Sequence, residues 1–300
     1  MIFLEKALKI KVSLSHPGLV FDHLKYKLKK DLLWNYYYKK FEGPKMRSFI
    51  DNSDYIKEIE KELIANKIDV HYYNIDLTEY YQYLNDAKYH EYPYLRDGKD
   101  KNFPEKSLEH FLAYKLLNLK KNDVYIDIAN AGSPTPEIYK KLSSCATYRQ
   151  DLIFPNGLNG NIIGGDAGNM PISNGFATKM ALHCSFEHFE GDSDMLFIKE
   201  ANRILRPGGK LCILPLYLFT RYAIQTDPAY SSLKKYEKNA IYYCAKGYGN
   251  KHGRFYDVTN FINRIVNNMG DLRLKVFRLE NVKEVDADCY LHFAALFERC

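Results

Sequence analysis

Closely paired cysteines, long apolar runs and dense basic blocks are all missing from this sequence. Its six Cys, at positions 145, 184, 212, 244, 289 and 300, show no pair at the spacing that clamps zinc. Several fall in apolar, strand-like stretches, so buried free thiols in a reducing compartment are expected. No segment approaches the roughly 20 apolar residues that span a bilayer. Met1 to Leu14 alternates Lys with apolar residues and lacks the apolar core and small-residue cleavage site of a secretion signal. A cytoplasmic protein without a membrane span follows as the expectation. The net charge of +6 is spread along the chain and mildly favours an anionic partner, a phosphate-bearing small molecule or a membrane headgroup, over nucleic acid, since no tract interleaves Arg with aromatics. Repeats and low-complexity tracts are absent as well.

What is present is ordinary globular material, with 46% hydrophobic and 27% charged residues, enough for a substantial core. The unusual feature is 26 Tyr against one Trp. Runs such as Tyr36 to Tyr38 and Tyr80, Tyr81, Tyr83 could stack on sugars or bases, while an AT-rich coding bias explains the same count without any function.

At 300 residues the chain is long for one compact domain. Residues 1–103 read as a mixed, mostly helical accessory or substrate region. Helices are expected over Phe21 to Phe41 and, on the stripe Ile56, Ile59, Leu63 and Ile64, over Asp54 to Asn66. A strand is expected over Val70 to Leu77, followed by a Tyr-rich helix capped by Thr78. The polar stretch Arg96 to Phe103 reads as a connector. From Pro104 an apolar helix face (Leu108, Phe111, Leu112, Leu116) leads into alternating units. Strands are expected over Val124 to Ala129, Ala146 to Leu152, around Ile162 and Ile163, over Phe176 to Cys184 and over Lys210 to Leu218. Helices lie between them at Glu137 to Leu142 and Ser193 to Leu205. A helix from Phe261 to Met269 and two late β stretches, Leu272 to Leu279 and Tyr290 to Phe297, close the unit. The expected fold is α/β and Rossmann-like, a seven-stranded, mostly parallel sheet with an antiparallel edge. It occupies 104–300, with an acceptor-side insertion at about 217–258.

The strings VYIDIANAGSP (Val124 to Pro134), Asp151 at the next strand end, GGDAGNMPIS (Gly164 to Ser173), FEHF (Phe186 to Phe189) and EANRILRPGGKLCI (Glu200 to Ile213) together resemble class I S-adenosylmethionine-dependent methyltransferases. The FEHF and ProLeuTyr (Pro215 to Tyr217) segments are similar to members linked to bacterial surface-glycan assembly. In such sheets the ligand lies across the carboxyl ends of the strands at the switch point. The resemblance thus implies S-adenosylmethionine as cofactor. Asp127, Ala129, Asn130 and Gly132 would lie along its methionine part, although the loop departs from the family's several glycines. Asp151 would hold the ribose hydroxyls. Asp166 and Ala167 would read the adenine, with Gly165 giving room and Met170 either packing on the ring or filling the core. His183 would sit beside the sulfonium.

His188 is the expected general base, because an imidazole can take a hydroxyl proton near neutrality, with Glu187 and His252 as the next candidates. The related metal-binding arrangement needs a further Glu where Cys184 stands, so no metal is expected. Within the insertion, Arg221, Tyr222, Arg254 and Tyr256 could meet an anionic substrate. The expected activity is O-methylation of a small polar acceptor, such as a nucleotide-linked or phosphorylated sugar. An RNA methyltransferase and a non-catalytic binding protein on the same fold are the rivals.

Overall fold

The computed structural model describes residues 32, 46–92, 102–228, 230, 237, 239–245 and 247–300. Apart from Leu32, the helix expected over Phe21 to Phe41 and the Tyr36 to Tyr38 run lie outside them, as does most of the connector. Two compact units are formed, one of Met46–Ala223 with Arg254–Cys300 and one that includes Ile224–Gly253.

The larger unit opens with α1 (Met46–Ile50) and α2 (Ser53–Ala65). Asn52 caps α2 by accepting from the amides of Asp54 and Tyr55, satisfying donors that the first turn leaves over. Ile56, Ile59 and Leu63 are buried as expected, while Ile64, one step round the helix from Leu63, is exposed. Strand β1 (Val70–Tyr73) and helix α3 (Leu77–Ala87) follow. The α3 cap is Asp76 rather than Thr78: its carboxylate accepts from the Thr78 and Glu79 amides. Tyr80 and Tyr83 on α3 are core residues, bonded to Ser107 and Tyr89, while Tyr81 between them is exposed, so two of the three rings in this run pack inward.

Next come α4 (Phe103–Leu117), β2 (Val124–Ile128), α5 (Thr135–Ser143), β3 (Ala146–Asp151), β4 (Gly157–Asn159), β5 (Ile162–Gly164), β6 (Ala177–His183), α6 (Ser193–Ile204) and β7 (Leu205–Leu214). Beyond the insertion lie α7 (Val258–Arg264), β11 (Leu272–Leu279), the short α8 (Val282–Val285) and β12 (Phe293–Arg299). The insertion contributes β8 (Ala223–Thr226), β9 (Ile241–Cys244) and β10 (Gly253–Phe255), a three-stranded sheet ordered β10-β8-β9.

Among the described residues the main sheet has nine strands, not seven, in the order β1-β11-β12-β7-β6-β2-β3-β5-β4. Two short strands make the difference. The early β1 pairs parallel to β11, and β4 pairs antiparallel to β5 through a tight hairpin. The late antiparallel strand β12 is an inner strand, held between β11 and β7, and the antiparallel edge is β4. The parallel strands β6, β2, β3 and β5 carry the switch point, where β2 pairs with both β3 and β6.

Helix α4 is buried almost all round, which lets it pack against the sheet and α3 at once. Leu108, Phe111 and Leu112 join Tyr125, Ile138, Tyr139, Ala181 and Cys212 in one core cluster. Its polar residues Glu105, Ser107, Glu109 and His110 are buried too, and buried polar groups must find partners.

Candidate active site

Two adjoining cavities open at the carboxyl ends of β2, β3, β5 and β6. The larger, about 470 Å³, is bounded by the loops after β2 and β6 and by Lys106 of α4. The smaller, about 190 Å³, is bounded by the ends of β3 and β5. Ala129, Asp151, Leu152, His188 and Phe189 line both.

The loop after β2 makes a tight turn with little glycine. Ala129, Ala131 and Gly132 take φ of +51°, +47° and +83°, a left-handed conformation that costs a non-glycine residue about 1–2 kcal/mol. Hydrogen bonds hold it there. The Ala129 amide donates to Gln150 Oε1, the Asn130 amide to the Gln150 carbonyl, and the Ala131 amide to Asp151 Oδ2 at 2.8 Å. Asn130 Nδ2 ties Asp127 Oδ2 (2.6 Å) to the Ser133 carbonyl (3.0 Å). Behind the loop, His110 Nε2 meets Thr135 Oγ1, which meets Ser133 Oγ.

Asp127 is only 1% exposed, and its oxygens accept from Tyr125 and Asn130. Burial pushes its carboxyl up to about 7, against those two hydrogen bonds. Asp151 likewise spends part of its capacity on the chain, accepting from Ala131 and Ile153. It still lines both cavities, and each carboxylate oxygen has a second lone pair. Asp166 and Ala167 line the smaller cavity, with Asp166 also accepting from the Gly168 amide. Gly132, Gly165 and Met170 line neither cavity. A Cβ on Gly164 would sit 1.9 Å from the Pro155 carbonyl oxygen, and Gly165 has φ +121°; both glycines thus serve the close approach of the 154–156 turn. Met170 is 2% exposed, so it fills the core. The segment around it is pinned by Glu200 and Arg203 of α6, which bond the Met170 amide and the Met170 and Ile172 carbonyls.

After β6 the chain turns sharply at Cys184 (φ +49°). His188 lines both cavities, and its Nε2 is 3.6 Å from Glu187 Oε1. Glu187 lies behind it, 4% exposed, and accepts from the Cys184 thiol at 3.3 Å. His183 lines the larger cavity, and burial pulls its imidazole down to about 3, so it is neutral. Its rim neighbour Leu152 is exposed, an apolar wall that the sequence reading missed.

The four residues expected to meet an anionic substrate are placed otherwise. Arg254 is 0% exposed; it pairs with Asp194 at 2.8 Å and donates to the carbonyls of Phe189 and Gly191. Tyr256 donates to the same Asp194 carboxylate, and Arg264 pairs with it at 2.7 Å. This knot fixes the segment just past His188, so Arg254 and Tyr256 brace the loop from behind. Tyr222 is buried beside Tyr256, and Arg221 is exposed, its guanidinium 5.8 Å from the Phe219 ring. None of these lines either cavity. His252 belongs to the other compact unit, where its Nε2 is 3.4 Å from Glu237.

Among the described residues no group of three or more His, Cys, Asp or Glu could hold a metal ion, and no helix is long and apolar enough to cross a membrane. No family model and no curated protein matches this sequence. Solved structures do resemble it. A Burkholderia thailandensis 1,6-didemethyltoxoflavin-N1-methyltransferase with bound 1,6-didemethyltoxoflavin and S-adenosylhomocysteine is 12% identical, aligning 75% of this chain with 90% of that one at a TM-score of 0.45. A Haemonchus contortus phosphoethanolamine N-methyltransferase, bound to phosphoethanolamine and S-adenosylhomocysteine, is 12% identical over 75% of this chain and 50% of its own, with a TM-score of 0.43. A methyltransferase of Haloferax volcanii in complex with its Trm112 activator is 10% identical over 71% and 96%, with a TM-score of 0.44. Likenesses this distant carry nothing about substrate, and the architecture rests on the strand order and register themselves.

Proposed function

We propose that this chain is an S-adenosylmethionine-dependent methyltransferase that acts on an oxygen of a small polar acceptor. The observation that carries the proposal is the pair of adjoining cavities at the carboxyl ends of parallel strands. They are lined by Asp151, by Asp166 and by His188 where they join. Asp151 suits a ribose diol, because a carboxylate can accept from both hydroxyls while keeping its bonds to the chain. Asp166 and the backbone of Ala167 suit an adenine edge, and Leu152 offers apolar surface to the ring. The loop after β2 would carry the methionine end.

When bound, the cofactor supplies an electrophilic methyl on a positive sulfonium. The protein's share is alignment, exclusion of water and removal of a proton. His188 holds the junction between the cavities, with Glu187 behind it to orient the ring and stabilise it once protonated. Asp194, Arg254 and Arg264 keep the following segment still. For the acceptor we infer a nucleotide-linked or phosphorylated sugar of surface-glycan assembly, a reading supported by the sequence resemblance and by the chain's positive charge.

Calorimetric titration with S-adenosylhomocysteine tests the cofactor. Binding in the micromolar range, weakened at least tenfold by Asp151→Ala, is the expected result. No heat at millimolar ligand would leave a non-catalytic protein on this fold as the better description.

A further inference from the structure

The part of the larger cavity that is not shared with the smaller one is walled on one side by Asp127 and the loop after β2, and on the other by Lys106, His183, Cys184 and Ser185. Two of these side chains are more than nine-tenths buried and have a polar atom that meets no hydrogen-bond partner among the described residues. They are His183, through Nδ1, and Ser185, through Oγ. Buried polar atoms without partners are uncommon and costly, and here both belong to residues on a cavity wall.

The donor chain fixes what His183 offers. The Tyr125 hydroxyl donates to Asp127 Oδ1 at 2.8 Å, so its oxygen is left to accept from His183 Nε2 at 3.3 Å. The imidazole proton is therefore on Nε2, and Nδ1 is a bare acceptor that calls for an O–H or N–H. Lys106 is the only Lys or Arg on either cavity wall among the described residues. Its Nζ rests 3.0 and 3.3 Å from the two oxygens of Glu109. Burial pushes the Glu109 carboxyl up to about 8, against the pull of Lys106. Against its own burial, Lys106 is itself raised well above its ordinary value by Cys184 and Glu109, so it stays a charged ammonium on the cavity wall.

We propose that Lys106, Ser185 and His183 form an acceptor subsite, and that the acceptor carries a phosphate or carboxylate beside the hydroxyl or amine that receives the methyl group. The anion takes Lys106 and the Ser185 hydroxyl, through charge-assisted hydrogen bonds. The neighbouring O–H or N–H donates to His183 Nδ1. This assignment rests on the methyl-transfer reading, and it moves the anion site from the insertion to α4 and the loop after β6. The same chemistry could serve the cofactor's own carboxylate instead of the acceptor's anion.

The probe is inorganic phosphate, titrated calorimetrically into the full chain saturated with S-adenosylhomocysteine. Wild type should bind phosphate in the roughly 1–10 mM range of a single charged contact. Lys106→Met should weaken phosphate at least tenfold, and Ser185→Ala about threefold, each leaving S-adenosylhomocysteine affinity within about threefold. Ser185→Ala removes no existing partner of Oγ and so decides the matter if Lys106→Met folds poorly. Absence of phosphate binding to the loaded wild type, or equal binding by both variants, overturns the proposal. Loss of S-adenosylhomocysteine affinity in Lys106→Met with phosphate unchanged also overturns it, assigning the lysine to the cofactor. Phosphate binding that needs Lys106, in a wild type blind to S-adenosylhomocysteine, supports the anion site and sinks the methyl-transfer reading alone.

Discussion

The loops after β2 and β6 face the same cavity and are built on opposite plans. In the first, the polar groups of Asn130 and Ser133 are bonded within the loop and to Asp127 and Gln150 on the flanking strands, and two alanines are held left-handed by that network. In the second, His183 and Ser185 keep buried atoms without a partner among the described residues, and His188 stands at the junction of the cavities. A loop whose polar groups are satisfied internally is a preformed cradle, since nothing in it must reorganise when a ligand arrives. A loop that leaves buried groups unmet carries their cost until a ligand meets them, and the proposed acceptor subsite lies there. Variants in the two loops should therefore separate binding and stability from turnover.

The largest effect is expected at the junction. His188→Ala should lower turnover about 100–10,000-fold, the usual range for a lost general base, while S-adenosylhomocysteine affinity stays within about threefold. Release of S-adenosylhomocysteine, followed as a function of pH with an active acceptor, measures it. An equal collapse of cofactor affinity would turn His188 into part of the cradle and remove the contrast between the loops.

Next in size is Arg254→Met. Removing one partner of a fully buried pair costs about 3–5 kcal/mol, here with the Phe189 and Gly191 carbonyls also losing their donor. Urea melts should show that loss, and the protein that remains folded should keep its Michaelis constant for the acceptor. A change confined to that constant would return Arg254 to the substrate.

How much of this was readable beforehand depends on what each residue needs. The alternation of strand and helix, the span Leu272–Leu279 and the helix Ser193–Ile204 follow from periodicity, and the structure has them. The two extra strands were hidden for different reasons. Val70–Tyr73 was seen as a strand, but its pairing with β11 lies about 200 residues away along the chain, and no local pattern encodes it. Gly157–Asn159 is too short for periodicity, although the Asn159-Gly160 pair before Ile162 was a usable hairpin signal. Lys106 was missed because polar residues on a helix are ordinarily read as its wet face, and α4 has almost none. The clue was its apolar stripe combined with Glu105, Glu109 and His110, more charge than one exposed face requires. Arg254 misled for the converse reason: a cation in an insertion reads as substrate-facing until its buried carboxylate partner, 60 positions earlier, is seen.

A smaller effect concerns the wall between α4 and the loop after β6. Glu109 is raised from 4.5 to about 8. A carboxyl raised on folding contributes stability that is complete below its unfolded value and is lost as pH rises through the folded one. Between about pH 5 and pH 8 wild type should thus lose stability relative to Glu109→Gln, at up to about 1.4 kcal/mol per pH unit. On the acid side His183, lowered from 6.5 to about 3, acts oppositely: its contribution is present above about 6.5 and is lost as pH falls, in both proteins alike. Parallel urea titrations at pH 5.5 and 8.5 measure the difference, and identical slopes would mean that Lys106 keeps Glu109 ionised and matched.

The smallest expected effect probes the cradle itself. At Ala131, φ is +47° and the amide donates to Asp151 Oδ2. Glycine relieves the left-handed strain, about 1–2 kcal/mol, but loses about 0.5–1 kcal/mol through the greater freedom of the unfolded chain. Ala131→Gly should accordingly stabilise by about 0.5–1 kcal/mol, seen as a higher urea midpoint at unchanged slope. The direction matters more than the size. If the hydrogen bonds of Gln150, Asn130 and Asp151 alone shape the turn, the methyl is dispensable and S-adenosylhomocysteine affinity is kept. A lower midpoint would mean that the methyl packs against the cavity wall firmly enough to outweigh the strain. Its loss of affinity would then mark this alanine as a contact surface, and the first loop as less complete in itself than its bonds suggest.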